Sequence, residues 1–133
     1  MPYDRDRRDK PGDDDGESRV FGHVHGLCGG CAAALTGQFD HTEPGEGHFI
    51  ADWVRMLHDA RDVVRAHHQE LDRAAFLDME REAVKVSLAN LRTFPWIASR
   101  EQSGSLKLHG AHFSIAEGRL YVLDEAEGNF RPV

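Results

Sequence analysis

His23-Val24-His25-Gly26-Leu27-Cys28-Gly29-Gly30-Cys31 is the stretch on which the reading of this chain turns. Residues 20–27 read as a short strand ending at Gly26, Cys28-Gly29-Gly30 as a turn, and residues 31–35 as the first turns of a helix. His25-x-x-Cys28 brings an imidazole and a thiolate within reach of one metal ion when the chain turns tightly between them, and zinc favours that N/S mixture. A helix starting just after Cys28 aims its N-terminal N–H groups at the sulfur, which favours the thiolate. Two other readings of the same residues stand beside this one. Cys28 is equally a small buried residue in a glycine-rich turn with a satisfied histidine nearby, and Cys28-x-x-Cys31 is the spacing of a redox pair.

Upstream of this stretch, residues 1–19 are rich in charge and nearly free of large apolar groups. Pro11-Gly12-Asp13-Asp14-Asp15-Gly16 propagates neither helix nor strand, so a disordered acidic tail is expected over 1–19, with a domain over 20–133. Downstream, residues 36–47 carry Gly37, Pro44, Gly45 and Gly47 and read as a loop. Phe49, Ile50, Trp53, Val54, Leu57, Ala60, Val63 and Val64 recur at helical spacing, predicting one amphipathic helix over 49–67. A second helix is predicted over 71–91. Its apolar residues cover more than one face, so it is expected to be buried on two sides. Pro95 restricts Phe94 and ends it, and 96–102 read as one or two further helical turns. The period then changes. Leu106 and Leu108, then Phe113 and Ile115, bracket Gly110, which is read as a bulge or kink, and Leu120-Tyr121-Val122-Leu123 is a further strand.

Composition bounds the function. The chain has 133 residues, one domain's worth, with 40% hydrophobic residues and a formal net charge of -7. An acidic chain of this kind lacks the clustered lysines and arginines that bind a phosphate backbone, so no nucleic-acid partner is expected. No apolar run approaches a membrane span and no leader is visible, so neither membrane insertion nor export is expected. With Cys28 and Cys31 too close to staple a fold, a reducing cytoplasmic setting follows.

His25-Gly26-Leu27-Cys28-Gly29-Gly30 followed by Cys31-Ala32-Ala33-Ala34-Leu35 resembles the zinc segment of β-class carbonic anhydrases, His-x-x-Cys-Gly-Gly and a helix of small residues. Three later stretches resemble that family in the same order. They are Gly47-His48-Phe49-Ile50-Ala51-Asp52-Trp53, then Glu82-Ala83-Val84 through Asn90-Leu91-Arg92-Thr93-Phe94-Pro95, then Leu106-Lys107-Leu108-His109-Gly110-Ala111 with Gly118-Arg119-Leu120. The resemblance implies an α/β fold: a truncated β-carbonic anhydrase-like parallel sheet flanked by helices, with a C-terminal strand pair. It also implies a Zn2+ cofactor, carbon dioxide and bicarbonate as substrates, a homo-oligomer, and zinc-activated water that attacks carbon dioxide. In that family two cysteines and one histidine hold the metal. His25 and Cys28 match two of those positions.

The family's other cysteine belongs to a Cys-x-Asp-x-Arg motif well upstream of the histidine. No cysteine precedes His25 here, and Val24 stands where the family has glycine. The expectation is therefore a chain that has lost the N-terminal half of the family domain, with impaired activity and no residue assigned a catalytic role. Its alternative is a non-catalytic zinc-binding or interaction remnant. Cys31, one helical turn after Cys28, and His23, two residues before His25, are the candidate substitute ligands.

Overall fold

The computed structural model describes residues 18–41, 45 and 48–133, with no account of the side chain of His48. The expected tail over 1–19 therefore lies outside the described residues up to 17, whereas Ser18 and Arg19 open the first strand, β1, Ser18–His25. Five helices follow: α1 (Gly29–Thr36), α2 (His48–Arg55), α3 (His58–His67), α4 (Arg73–Arg92) and α5 (Pro95–Gln102). The chain ends in three strands, β2 (Leu106–Ser114), β3 (Arg119–Asp124) and β4 (Asn129–Pro132).

The strands form one four-stranded sheet in the order β1-β2-β3-β4. β1 runs parallel to β2, with Gly22 opposite Gly110 and His25 opposite Phe113, while β2, β3 and β4 are antiparallel neighbours. The α/β class is as expected, but the parallel part among the described residues is a single pair and the sheet is mixed. The helices between β1 and β2 supply the long crossover that a parallel pair needs. β4 was not legible in the sequence: a four-residue edge strand carrying Arg131 and Pro132 shows no clear alternation.

Three local expectations change. Gly29 and Gly30 do not form the turn but begin α1. The turn is Gly26-Leu27, and it holds Leu27 at φ 60. The helix expected over 49–67 is two helices. Met56 donates to the Trp53 carbonyl and Leu57 to that of Val54, three residues back, and this tightening ends α2 before α3 starts. Both still share one apolar face, because Val54, Leu57, Ala60 and Val64 are buried in a common cluster. Gly110 is not a bulge, since β2 pairs with β1 without interruption through it. A Cβ there would stand 2.7 Å from Val84 Cγ1 and 3.1 Å from Leu88 Cδ1. Glycine is required because α4 lies directly on the strand, and a side chain would overpack that contact.

α4 is the element on which the rest is assembled. Asp72 caps its N-terminus by accepting from the amide of Ala75 at 3.0 Å. One side meets β1 and β2, and the other meets α1 and α3, which is the two-sided burial expected from its apolar distribution. Ala75, Met79, Ala83, Val84 and Leu88 are buried along it. Its exit is tied down by Arg92, whose guanidinium donates to Glu101 of α5 at 2.8 and 2.9 Å and to Glu125 of the β3–β4 turn at 2.7 and 3.0 Å.

Those hydrogen bonds from Arg92 hold the Glu101 carboxyl below the usual carboxylate range, against a smaller opposing effect of burial. Because the folded-state value lies below the unfolded one, this stabilisation is present above the ordinary glutamate range and is lost as pH falls through the folded value. Arg92→Met is expected to destabilise the chain at neutral pH by roughly 1 kcal/mol, a modest figure because these side chains remain partly exposed. The gap between wild type and variant should close on acidification. Denaturant unfolding of both proteins across that pH range checks this, and a gap independent of pH would show that the pairing contributes nothing.

Candidate metal centre

The C-terminal end of β1, the Gly26-Leu27 turn and the start of α1 place the candidate ligands. His25 is the last residue of the strand and is exposed. Its Nδ1 lies 3.0 Å from the carbonyl oxygen of Gly26. A carbonyl only accepts, so Nδ1 is the donor in this contact, and in the neutral ring that leaves the lone pair on Nε2. Metal-binding histidines are commonly oriented in this way. Cys28 occupies the N-cap position of α1, with an extended backbone (φ -68, ψ 113) and no capping hydrogen bond from its side chain. The thiol is therefore not consumed by the helix end beside it.

The turn itself is tightly specified. The amide of Gly26 donates to the carbonyl of Phe113 on β2 at 2.7 Å, which pins the end of β1 to the sheet. A Cβ on Gly30 would stand 2.7 Å from the Trp53 ring, so the indole of α2 lies against the first turn of α1. Of the paired glycines, Gly30 is thus needed for the close approach of α2, whereas a Cβ on Gly29 would meet nothing within 4 Å.

Beneath the turn lies a polar pair that sequence reasoning missed. Glu80 of α4 is 5% exposed and His112 of β2 is 1% exposed, and they are the two buried polar side chains among the described residues. Glu80 Oε1 accepts from the backbone amide of Cys28 at 3.1 Å, and its Oε2 lies 2.8 Å from His112 Nε2. One carboxylate therefore joins α4, β2 and the backbone amide of Cys28. His112 Nδ1 is buried with no hydrogen-bond partner. Glu80 sits among charged neighbours on a helix, and His112 among ordinary strand residues, so only the packing of α4 against β2 makes them a pair.

The candidate substitutes are placed differently. Cys31 is 3% exposed and faces the core with Ala34, Leu35 and Met79. Burial pushes its thiol well above the usual range, reinforced by the Cys28 charge and hydrogen bond and by Glu80. His23 is exposed on β1, two residues before His25 and on the same face of the strand. Zinc, the metal expected here, needs at least three protein ligands in a catalytic centre and four in a structural one. Among the described residues no three His, Cys, Asp or Glu side chains come together to hold an ion. His25 and Cys28 each suit zinc, but this donor set is short of a complete centre.

The chain matches the family model described as carbonic anhydrase over residues 19–120. It is 31% identical over 106 residues to beta carbonic anhydrase 3 of Arabidopsis thaliana, a match covering 75% of this chain and 40% of that protein. It is 36% identical over 81 residues to a carbonic anhydrase of Pseudomonas aeruginosa, covering 61% of this chain and 37% of the relative. Among solved structures it resembles the beta-carbonic anhydrase CcaA, with a TM-score of 0.75 at 24% identity, over 87% of this chain and 51% of that one. It also resembles the tetrameric beta-carbonic anhydrases of Sordaria macrospora, with a TM-score of 0.63 at 22% identity, over 80% and 52% of the two chains. This chain belongs to the carbonic anhydrase family, in its beta class. It spans 40% and 37% of the lengths of these two curated relatives.

Two outcomes check this geometry. Glu80→Ala leaves the Cys28 amide and His112 without their partner and is expected to destabilise the chain by roughly 3–5 kcal/mol, whereas Glu80→Gln, which keeps an acceptor in place, loses less. Chemical denaturation of both variants measures the difference, and equal losses would remove the hydrogen bonds from the account. Alkylation of the native metal-free chain at neutral pH should modify Cys28 well before Cys31, because only Cys28 is accessible and the Cys31 thiol is held protonated. Peptide mass spectrometry reads the site, and early modification of Cys31 would contradict its burial.

Proposed function

We propose that this chain is a zinc-binding member of the beta-carbonic anhydrase family whose chemistry is the reversible hydration of carbon dioxide to bicarbonate, and that the isolated chain performs it poorly. Membership supports the reaction class. The single observation that carries the second half is the donor set: His25 and Cys28 lie at the end of β1, and no third described side chain joins them. A catalytic zinc needs three protein ligands to hold charge and geometry while one position stays open. Two ligands leave the ion to competing water and chelators, so zinc should be held weakly by one chain acting alone.

The alternative, a zinc-binding or interaction domain without catalysis, is favoured by the same shortage. The tetrameric state named for the Sordaria macrospora proteins, together with the exposed apolar groups of this chain, supports a homo-oligomer. No described helix is long and apolar enough to cross a membrane. Two free cysteines, with one thiol buried, suit a reducing setting such as the cytoplasm.

Stopped-flow hydration of carbon dioxide by the zinc-supplied chain tests the proposal. The expected rate is close to that of the uncatalysed reaction. A rate approaching that of an intact family member, abolished by Cys28→Ser, would overturn the impairment and show that the centre is completed elsewhere.

A further inference from the structure

We infer that the cleft between α3, α4 and the start of β4 binds a small organic monocarboxylate, with Arg81 taking the carboxylate and Phe130 and Val63 lying against its apolar body. The inference is independent of the zinc reading. The cleft has a volume of about 360 Å3, within the range of small-molecule sites. Asp78, Arg81, Glu82 and Lys85 line it from one face of α4, because spacings of three, four and seven residues return to the same side of a helix. Val63 of α3 and Phe130 of β4 stand on the other walls.

Charge in the cleft is paired, with one exception. His68 Nε2 lies 2.8 Å from Asp78 Oδ2, and Lys85 Nζ lies 2.5 Å from Glu82 Oε1. Arg81 has no acid and no hydrogen-bond acceptor among the described residues, and its Nε is enclosed without a partner. A guanidinium is always charged, and one that is half-buried without an acceptor loses hydration that nothing in the chain replaces. An anion brought to it supplies the missing partner.

What holds Arg81 in place is aromatic. Its guanidinium carbon lies 5.5 Å from the centroid of the Tyr121 ring and 5.6 Å from that of Phe130. A guanidinium held over rings uses its face there and leaves the N–H groups, which lie in its plane, for acceptors. The fork is therefore ordered before a ligand arrives, and less freedom is lost when it binds. A carboxylate is planar and accepts two parallel N–H groups, which suits that fork. One unpaired positive charge calls for one negative charge, and a second would meet Asp78 and Glu82 in the same cleft. Val63, Val64 and Phe130 provide an apolar wall that a bare inorganic ion would leave wet, so the carboxylate is one with an organic body.

The test titrates the full chain at neutral pH with benzoate, with benzamide as its uncharged counterpart, and with inorganic phosphate. Backbone and arginine side-chain 1H–15N spectra report the site. Benzoate should saturate with a Kd on the order of 1 mM, shifting the Arg81 Nε–H signal and the amides of Asn129 and Phe130. Benzamide and phosphate should each bind at least about tenfold more weakly. Arg81→Met keeps the stem and removes the charge, and it should weaken benzoate by at least about tenfold. Arg81→Lys keeps the charge without the planar fork and should fall between the two. If Arg81→Met fails to fold by thermal unfolding, the comparison of benzoate with benzamide on the wild-type chain decides. Equal affinities for those two would overturn the inference, as would benzoate shifts confined to the surroundings of His25 and Cys28. Phosphate binding as tightly as benzoate would overturn the carboxylate assignment in favour of a simple oxyanion.

Discussion

A single buried carboxylate ties together the end of the fold that carries the candidate ligands. Glu80 reaches from the middle of α4 to the amide of Cys28 on one side and to His112 of β2 on the other. A buried carboxylate is costly unless its lone pairs are used, so this contact fixes geometry more than it adds net stability. Its effect is to set three elements in register: the helix, the strand parallel to β1, and the turn that carries the candidate ligands. The position of Cys28 thus depends on a residue 52 positions away in the chain.

The same helix is seated by the absence of side chains. At Gly110 on β2, α4 approaches closely enough for Val84 and Leu88 to occupy the space of a Cβ, while at Gly22 on β1, opposite it in the parallel pair, Leu88 lies at ordinary contact distance. On its other side the short residue Ala34 of α1 is buried in one cluster with Ala75, Met79 and Ala83 of α4, where a longer side chain would hold the helices apart. Close approach on both sides brings Glu80 within hydrogen-bonding distance of a backbone amide. Packing and polar chemistry at the site are therefore one arrangement.

The resulting site combines a rigid interior with an unfinished exterior. Inward from the turn, the Cys28 amide, Glu80, His112 and Cys31 are enclosed and mostly satisfied. Outward, His25 is exposed, as are Leu27 of the turn, Trp53 against Gly30 and Ile115 beside Gly26. The cleft of about 360 Å3 lined by His67, His68, Arg81 and Phe130 lies elsewhere, between α3, α4 and β4.

By itself the sequence determined the class of fold, the family and two ligand candidates. The signals for these are local: a His-x-x-Cys spacing, the helical recurrence of apolar residues from Phe49 to Val64, and the proline stop at Pro95. The break between α2 and α3 escaped it, because an apolar face continues in phase across a tightened turn. Gly110 was misread as a bulge, because a glycine marks close approach without saying what approaches. The direction in which Cys28, Cys31 and His23 point could not be read either: a three-residue spacing places Cys31 one turn on, but only the seating of α1 against α4 turns its thiol into the core. Glu80 and His112 carry no local signal whatever, since a glutamate on a charged helix and a histidine in a strand are unremarkable until burial removes their water. Tertiary structure alone decided that pair, because the free energy of a buried polar group is set by partners that are distant in sequence and adjacent only once the chain has folded.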